Sequence, residues 1–248
     1  MTADLVQYGV DRGVARIALD SPHNRNALSS ALMTQLEQRL AEAQAADDVR
    51  AVELTHTGGT FCAGADLNEA RQGMEKSTHR VIALLRQIVE LPKPVVASVD
   101  GHVRAGGLGL IGACDIALAG PASTFAFSEV RLGLAPAMIS LTTLPRLTAR
   151  AAGRYYLTGE TFDAPTAARI GLITEAVEDI DAATHAVLDA LRKASPQGLR
   201  ETKPLTTKTL SFADADALAE QSARLFASDE AREGMTSFLE KRPPRWVL

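Results

Sequence analysis

The sequence predicts an α/β fold that becomes helical toward its C-terminus, and three observations carry that prediction. Short apolar runs alternate with helical periodicities through the first half of the chain. Two of those runs lead into glycine-rich loops, "GGTFCAGADL" and "GHVRAGGLGL", each followed by a helix-like stretch. From about Ala137 onward almost every stretch has helical spacing. The chain has 248 residues, 46% of them hydrophobic, which suits one large domain or one domain with a helical appendage.

Each element has its own reason. "LVQYGVDRGVARIALD" alternates apolar and polar residues around Asp11-Arg12-Gly13 and reads as a hairpin. Leu32, Leu36 and Leu40 then share one helical face, with Ser29 as N-cap. "AVELTHTG" is a short strand entering the first glycine loop, and Asp66 with Glu69 suits a helix start. Val81, Ile82, Leu85, Ile88 and Val89 line a second amphipathic helix that stops before Pro92. "KPVVASVDG" supplies a buried strand, the second glycine loop follows, and "CDIALAG" supplies another strand. "FAFSEVRLG" reads as a strand turning into a helix. Helices are then expected in "ARAAGRYYLTG", "APTAARIGL", "DAATHAVLDALRKA" and "DADALAEQSARLFAS", with one strand in "LITEAV". The tail "KRPPRWVL" is too proline-rich to continue a helix.

Composition narrows the function. Lys and Arg number 26 against 30 Asp and Glu, a net charge of −4, and no basic run exists, so nucleic-acid and anionic-membrane partners are not expected. The start "MTADLVQYGVDRG" has no apolar signal core, and "GLGLIGACDIALAG" is too short and interrupted to span a bilayer. A cytoplasmic enzyme-sized domain is expected. Cys62 and Cys114 offer neither a disulfide framework nor metal-ligand spacing and read as small buried thiols.

Gly107-Leu108-Gly109-Leu110-Ile111-Gly112 matches G-x-G-x-x-G, and Glu129 lies seventeen residues beyond. A dinucleotide fingerprint needs its first glycine directly at a strand end. Here seven residues, Asp100 to Gly106, intervene, and Glu129 sits in a strand-to-helix turn. The context argues against a pyrophosphate cradle. Two glycine loops that each open a helix point elsewhere, because free N–H groups at two helix starts make an oxyanion hole where they converge. Close helix packing explains the glycines equally well at this stage.

Taken together and in order, "HNRNALS", "TFCAGADL", "KPVVASVDGHVRAGG", "ACDIALA", "FAFSEVRLGLAP", "YYLTGETFDAPTAARIGLI" and "FLEKRPPRW" resemble the crotonase (enoyl-CoA hydratase/isomerase) superfamily. The resemblance implies a crotonase-like spiral of β-β-α units over residues 1–195 and a C-terminal helical trimerisation region over 196–248. It implies a homotrimer or hexamer acting on an acyl-CoA thioester, with no metal or redox cofactor, coenzyme A being part of the substrate. By the family's motif positions, the N–H groups of Ala65 and Gly106 hold the thioester oxygen as it becomes an enolate. Main-chain contacts to the adenine and pantetheine fall to Arg25, Ala27, Leu28, Ala63, Asp66 and Leu67, with Arg25 and Lys241 as phosphate partners.

The resemblance also exposes a departure. Many family hydratases flank the added water with two glutamates. The second is kept as Glu129, whereas the first falls on Gly109, which has no side chain. Where such hydratases carry a glycine run, Ala137 to Ser140 predict a bulkier, more apolar wall. Arg104, just before the donor loop, has the charge for a substrate carboxylate or for packing or a subunit interface. Three readings follow: a hydratase in which Glu129 alone handles the water, in a motif style resembling methylglutaconyl-CoA and carboxygeranoyl-CoA hydratases; a Δ3,Δ2-enoyl-CoA isomerase shuttling one proton; or an acyl-CoA-binding protein without efficient catalysis.

Overall fold

The computed structural model describes residues 4–66, 69, 75–209 and 211–248. Strands β1 (Val6–Asp11) and β2 (Val14–Leu19) form the expected antiparallel hairpin, with Asp11 opposite Val14. Arg12 and Gly13 between them both have positive φ, 43° and 75°. That is the backbone a two-residue hairpin turn requires. Helix α1 (Ser30–Ala45) starts where Ser29 Oγ accepts a hydrogen bond from the Leu32 amide, and it buries Leu32, Met33, Leu36 and Leu40.

Three turns of one unit follow. Strands β3 (Ala51–His56) and β4 (Thr60–Cys62) precede helix α2 (Glu75–Glu90). Strands β5 (Val95–Val99) and β6 (His102–Arg104) precede helix α3 (Gly106–Ala113). Strands β7 (Ile116–Ala119) and β8 (Thr124–Ala126) run into a 3₁₀ turn, Ser128–Leu132. In each unit the first strand joins a six-stranded sheet and the second a four-stranded sheet; with β9 (Phe162–Asp163) and β10 (Glu175–Ala176) the orders are β1-β2-β3-β5-β7-β10 and β4-β6-β8-β9. Beyond the hairpin, the large sheet is parallel throughout. This is the β-β-α spiral expected from the resemblance. Strand β6, however, was absent from the sequence reading, since three residues after Gly101 carry too short a pattern to register.

Short helices α4 (Ser140–Thr143), α5 (Ala149–Thr158) and α6 (Ala164–Arg169), with the two-residue strands β9 (Phe162–Asp163) and β10 (Glu175–Ala176), close the spiral. Phe162 stacks on Phe125 and Phe127, and Tyr155 lies 4.3 Å from it between ring centroids. These rings brace the small sheet from behind.

Helix α7 (Ile180–Lys193) covers the large sheet, with Leu188 against Val14, Ala51 and Val96. Then come α8 (Pro196–Thr207), α9 (Ala215–Phe226) and α10 (Asp229–Leu239). The sequence reading placed no helix at α8 or α10. Pro204 inside α8 weakens its pattern, but tertiary anchoring overrides this. The buried Lys203 ammonium reaches Asp115 at 2.8 Å and the carbonyls of Ile88 and Lys93. Among the described residues no helix is long and apolar enough to cross a membrane.

Candidate active site

Strands β4, β6 and β8 are parallel neighbours, so the segments leaving their carboxyl ends emerge side by side. Ala63-Gly64-Ala65 follows β4, Ala105-Gly106 follows β6, and Phe127-Ser128-Glu129 follows β8. The Ala105 amide donates to Ala126 O at 3.2 Å, which ties the second segment to the third. Close contact joins the first to the second. A Cβ on Gly64 (φ 92°) would lie 2.8 Å from Ala105 Cβ and 3.3 Å from the Gly106 nitrogen. Only glycine permits that approach with that backbone. A Cβ direction drawn from Gly106 likewise meets Gly64 Cα at 3.6 Å and Gly64 C at 3.8 Å.

The amides of Ala65 and Gly106 therefore sit on abutting segments, and neither donates a hydrogen bond among the described residues. Gly106 is the first residue of α3, where N–H groups have no partner within the helix. Ala105 holds φ 46° and ψ −117°, a conformation that costs a non-glycine residue on the order of 1–3 kcal/mol. That strained residue stands directly before the unengaged Gly106 amide.

A third loop closes over these two. Leu28 N donates to Gly64 O at 2.7 Å, Ala63 N donates to Arg25 O at 3.0 Å, and Leu28 bridges to Ala65. Arg25 and Asn26 both have left-handed φ, 59° and 53°. Buried Asn26 holds them there: its Oδ1 accepts from Ser21 N, and its Nδ2 donates to Thr57 O and Thr60 O. Asn26 was missed in the sequence, where the signal available was an asparagine able to tolerate left-handed backbone.

Glu129 is the carboxyl at the third segment. One of its oxygens, Oε2, is buried and has no hydrogen-bond partner among the described residues. Burial pushes the carboxyl above its ordinary value, with a main-chain amide only partly opposing. Such a carboxyl has the chemistry to take up or release a proton.

The structure thus brings together Arg25, Ala27, Leu28, Ala63, Ala65, Asp66, Gly106 and, one strand over, Glu129. Asp66 Oδ1 accepts from Glu69 N at 3.4 Å. Leu67 lies outside the described residues. Lys241 is exposed on the tail whose Trp246 carbonyl accepts from Arg50, beside the start of β3. Arg104 serves packing, donating to Thr124 O, Thr124 Oγ1 and Val103 O. Cys62 and Cys114 are buried thiols, both pushed up to about 12 by desolvation. Two cavities of about 480 Å³ lie elsewhere, one among α8, α9 and α10 and one beneath α7, and neither is lined by Ala65, Gly106 or Glu129.

The G-x-G-x-x-G glycines are packing residues. Side chains would collide with Cys62 at Gly107, with Ile139 at Gly109 and with Thr142 at Gly112. Packing accounts for these glycines, and it also brings the open helix start against its neighbour.

The sequence profile described as Enoyl-CoA hydratase/isomerase matches residues 9–247. The chain belongs to the enoyl-CoA hydratase/isomerase family. It is 34% identical to a relative from Rhodobacter capsulatus that carries an enoyl-CoA hydratase name, the match covering 100% of this chain and 99% of that one. A solved enoyl-CoA hydratase from Mycobacterium avium is 57% identical, with a TM-score of 0.80 over 99% of this chain and 100% of that chain. One from Mycobacterium smegmatis is 30% identical with a TM-score of 0.93, at 99% and 100% coverage. The fold is the crotonase fold of this family.

Proposed function

We propose that this family member is a hydratase that adds water to a short or branched 2-enoyl-CoA thioester. Ala65 and Gly106 donate their amide protons to the thioester oxygen, and each such donor contributes roughly 3 kcal/mol to the barrier reduction. Glu129 takes a proton from water as the water oxygen bonds to C3. The C2=C3 electron pair moves onto the thioester oxygen as an enolate, and Glu129 returns the proton to C2. A carboxyl raised above its ordinary value suits both halves, being a better base than a solvated glutamate and an acid when it gives the proton back. These steps need no metal or redox group, and coenzyme A enters as part of the substrate. In this reading main chain at Ala27, Leu28, Ala63 and Asp66 holds the pantetheine and adenine, and the exposed Arg25 pairs with a phosphate; the bonds that tie these loops together support it.

The observation that carries the reading is the convergence, at three adjacent strand ends, of two unengaged amides and an unpartnered carboxylate oxygen. The reading extends to assembly. Phe226, Phe238 and Leu239 are largely exposed on α9 and α10, which supports burial of those helices in a homotrimer or hexamer.

A single carboxylate also supports a runner-up, a Δ3,Δ2-enoyl-CoA isomerase in which Glu129 carries one proton between C2 and C4. Mass spectrometry across a panel of acyl-CoA thioesters separates the readings. Gain of 18 Da (the mass of water) on a 2-enoyl-CoA is the expected result. Conversion of a 3-enoyl-CoA without mass change would make it an isomerase, and binding with no turnover would make it a binding protein.

A further inference from the structure

We propose that Ile139 determines the site's specificity: its side chain fills the space over Gly109 that a second acid would need, and so holds the reaction to one carboxylate. The inference rests on the reading of Glu129 as the proton-moving group. Gly109 lies three residues beyond the donor Gly106 on α3, hence on the same side of the helix. A Cβ there would stand 2.6 Å from Ile139 Cγ2 and 3.0 Å from Ile139 Cβ, with Leu85 Cδ1 at 3.4 Å. Even an alanine at 109 requires Ile139 to move.

Ile139 is poorly placed to move. It is 1% exposed, and β-branching limits its rotamers. Its carbonyl accepts from the amides and the hydroxyls of both Thr142 and Thr143. Thr142 Oγ1 also donates to Gly109 O at 2.9 Å, stitching the two facing segments directly. Thr143 Oγ1 lies 2.6 Å from Tyr156 OH, and the Tyr156 ring packs 4.4 Å from Phe127, two residues before Glu129. The segment that blocks the second acid is thus coupled to the one that presents the first.

The chemical consequence is a wall of isoleucine and leucine carbons where a two-acid site has a charge. A substrate with an apolar branch on its β-carbon is favoured over one that relies on a second water-binding group. Trimming Ile139 cuts that wall back and admits larger branches.

The test uses the full-length protein, a panel of straight-chain and 3-branched 2-enoyl-CoA thioesters, and the variants Ile139→Ala, Gly109→Glu and their double. Ile139→Ala is expected to shift the branched-to-straight ratio of kcat/KM by about 10-fold toward larger branches. Gly109→Glu alone is expected to lose solubility or lower Tm. Adding Ile139→Ala should restore it and introduce a second ionisation in the pH–rate profile. A ratio unchanged by Ile139→Ala, or a Gly109→Glu protein as stable and active as the double, overturns the proposal. If neither Gly109→Glu protein is soluble, the Ile139→Ala ratio decides, and Ile139→Val replaces it should Ile139→Ala be unstable. Glu129→Gln in the same assay separates the two levels. Full turnover in that variant defeats the underlying reading, whereas loss of turnover beside a flat Ile139 response defeats only this inference.

Discussion

At the carboxyl ends of β4, β6 and β8 the chain is held by its own backbone. Gly64 abuts Ala105 and Gly106, Leu28 N is bonded to Gly64 O, and Ala105 N is bonded to Ala126 O. The C-terminal helices are held instead by charged side chains: Lys203 to Asp115, Arg224 to Glu201, and Arg242 to Glu233. The first region leaves donors and a carboxylate oxygen unengaged. The second engages its charges and leaves apolar surface uncovered, with Phe212 at 99% and Phe238 at 82% exposure. Main-chain contacts fix atoms to within tenths of an ångström and tolerate strain, which catalysis needs. Side-chain anchors are enough to dock a helix whose outer face stays exposed. The difference separates a region whose polar groups are left open from one whose apolar surface is left open.

The sharpest way to break this comparison is Glu129→Gln. Turnover of the preferred thioester should fall ~10²–10⁴-fold with the fold intact, measured by steady-state kinetics beside circular dichroism. Lys203→Met probes the other region. Leaving Asp115 buried beside an apolar side chain should cost about 3–5 kcal/mol of stability, read by denaturant titration, while the affinity of the remaining folded protein for thioester stays near wild type. Gly64→Ala pushes a methyl into Ala105 and disfavours the positive φ, so kcat should drop on the order of 10²-fold with a smaller change in KM.

A subtler outcome follows from the raised carboxyl of Glu129. Between the ordinary glutamate value and its raised one, the folded protein binds more protons than the unfolded chain, so stability falls as pH rises through that window. Glu129→Gln removes this loss. The variant should unfold at higher temperature than wild type at neutral pH, and the gap should close on acidification. Calorimetry at several pH values would show whether active-site strain is electrostatic. The smallest effect belongs to Phe212→Ser, which should change the stability of an isolated subunit by less than about 0.5 kcal/mol.

Much of the site could be read from the sequence because motif order places it. The glycine loops, Glu129, the Ser29 cap and the β1–β2 turn all depend on local chemistry that a short window contains. Strand β6 escaped because three residues are too few to show a period, and α8 escaped because Pro204 argues locally against a helix that Lys203 secures from a distance. The apolar character of residues 137–140 was legible, but the collision of Ile139 with a side chain at 109 was not, since the two lie thirty residues apart. Asn26 reads as one more loop asparagine until its three partners are seen.

By itself the amino-acid sequence determined the family, the α/β spiral and which residue types were available for chemistry, because those follow from periodicity and from motifs within short spans. Only the tertiary structure decided that the segments carrying the Ala65 and Gly106 amides abut, that Glu129 keeps a buried oxygen with no partner among the described residues, and that Ile139 occupies the space a side chain at 109 would take. Those facts depend on which atoms from distant segments share one volume, and close packing, rather than local propensity, settles that.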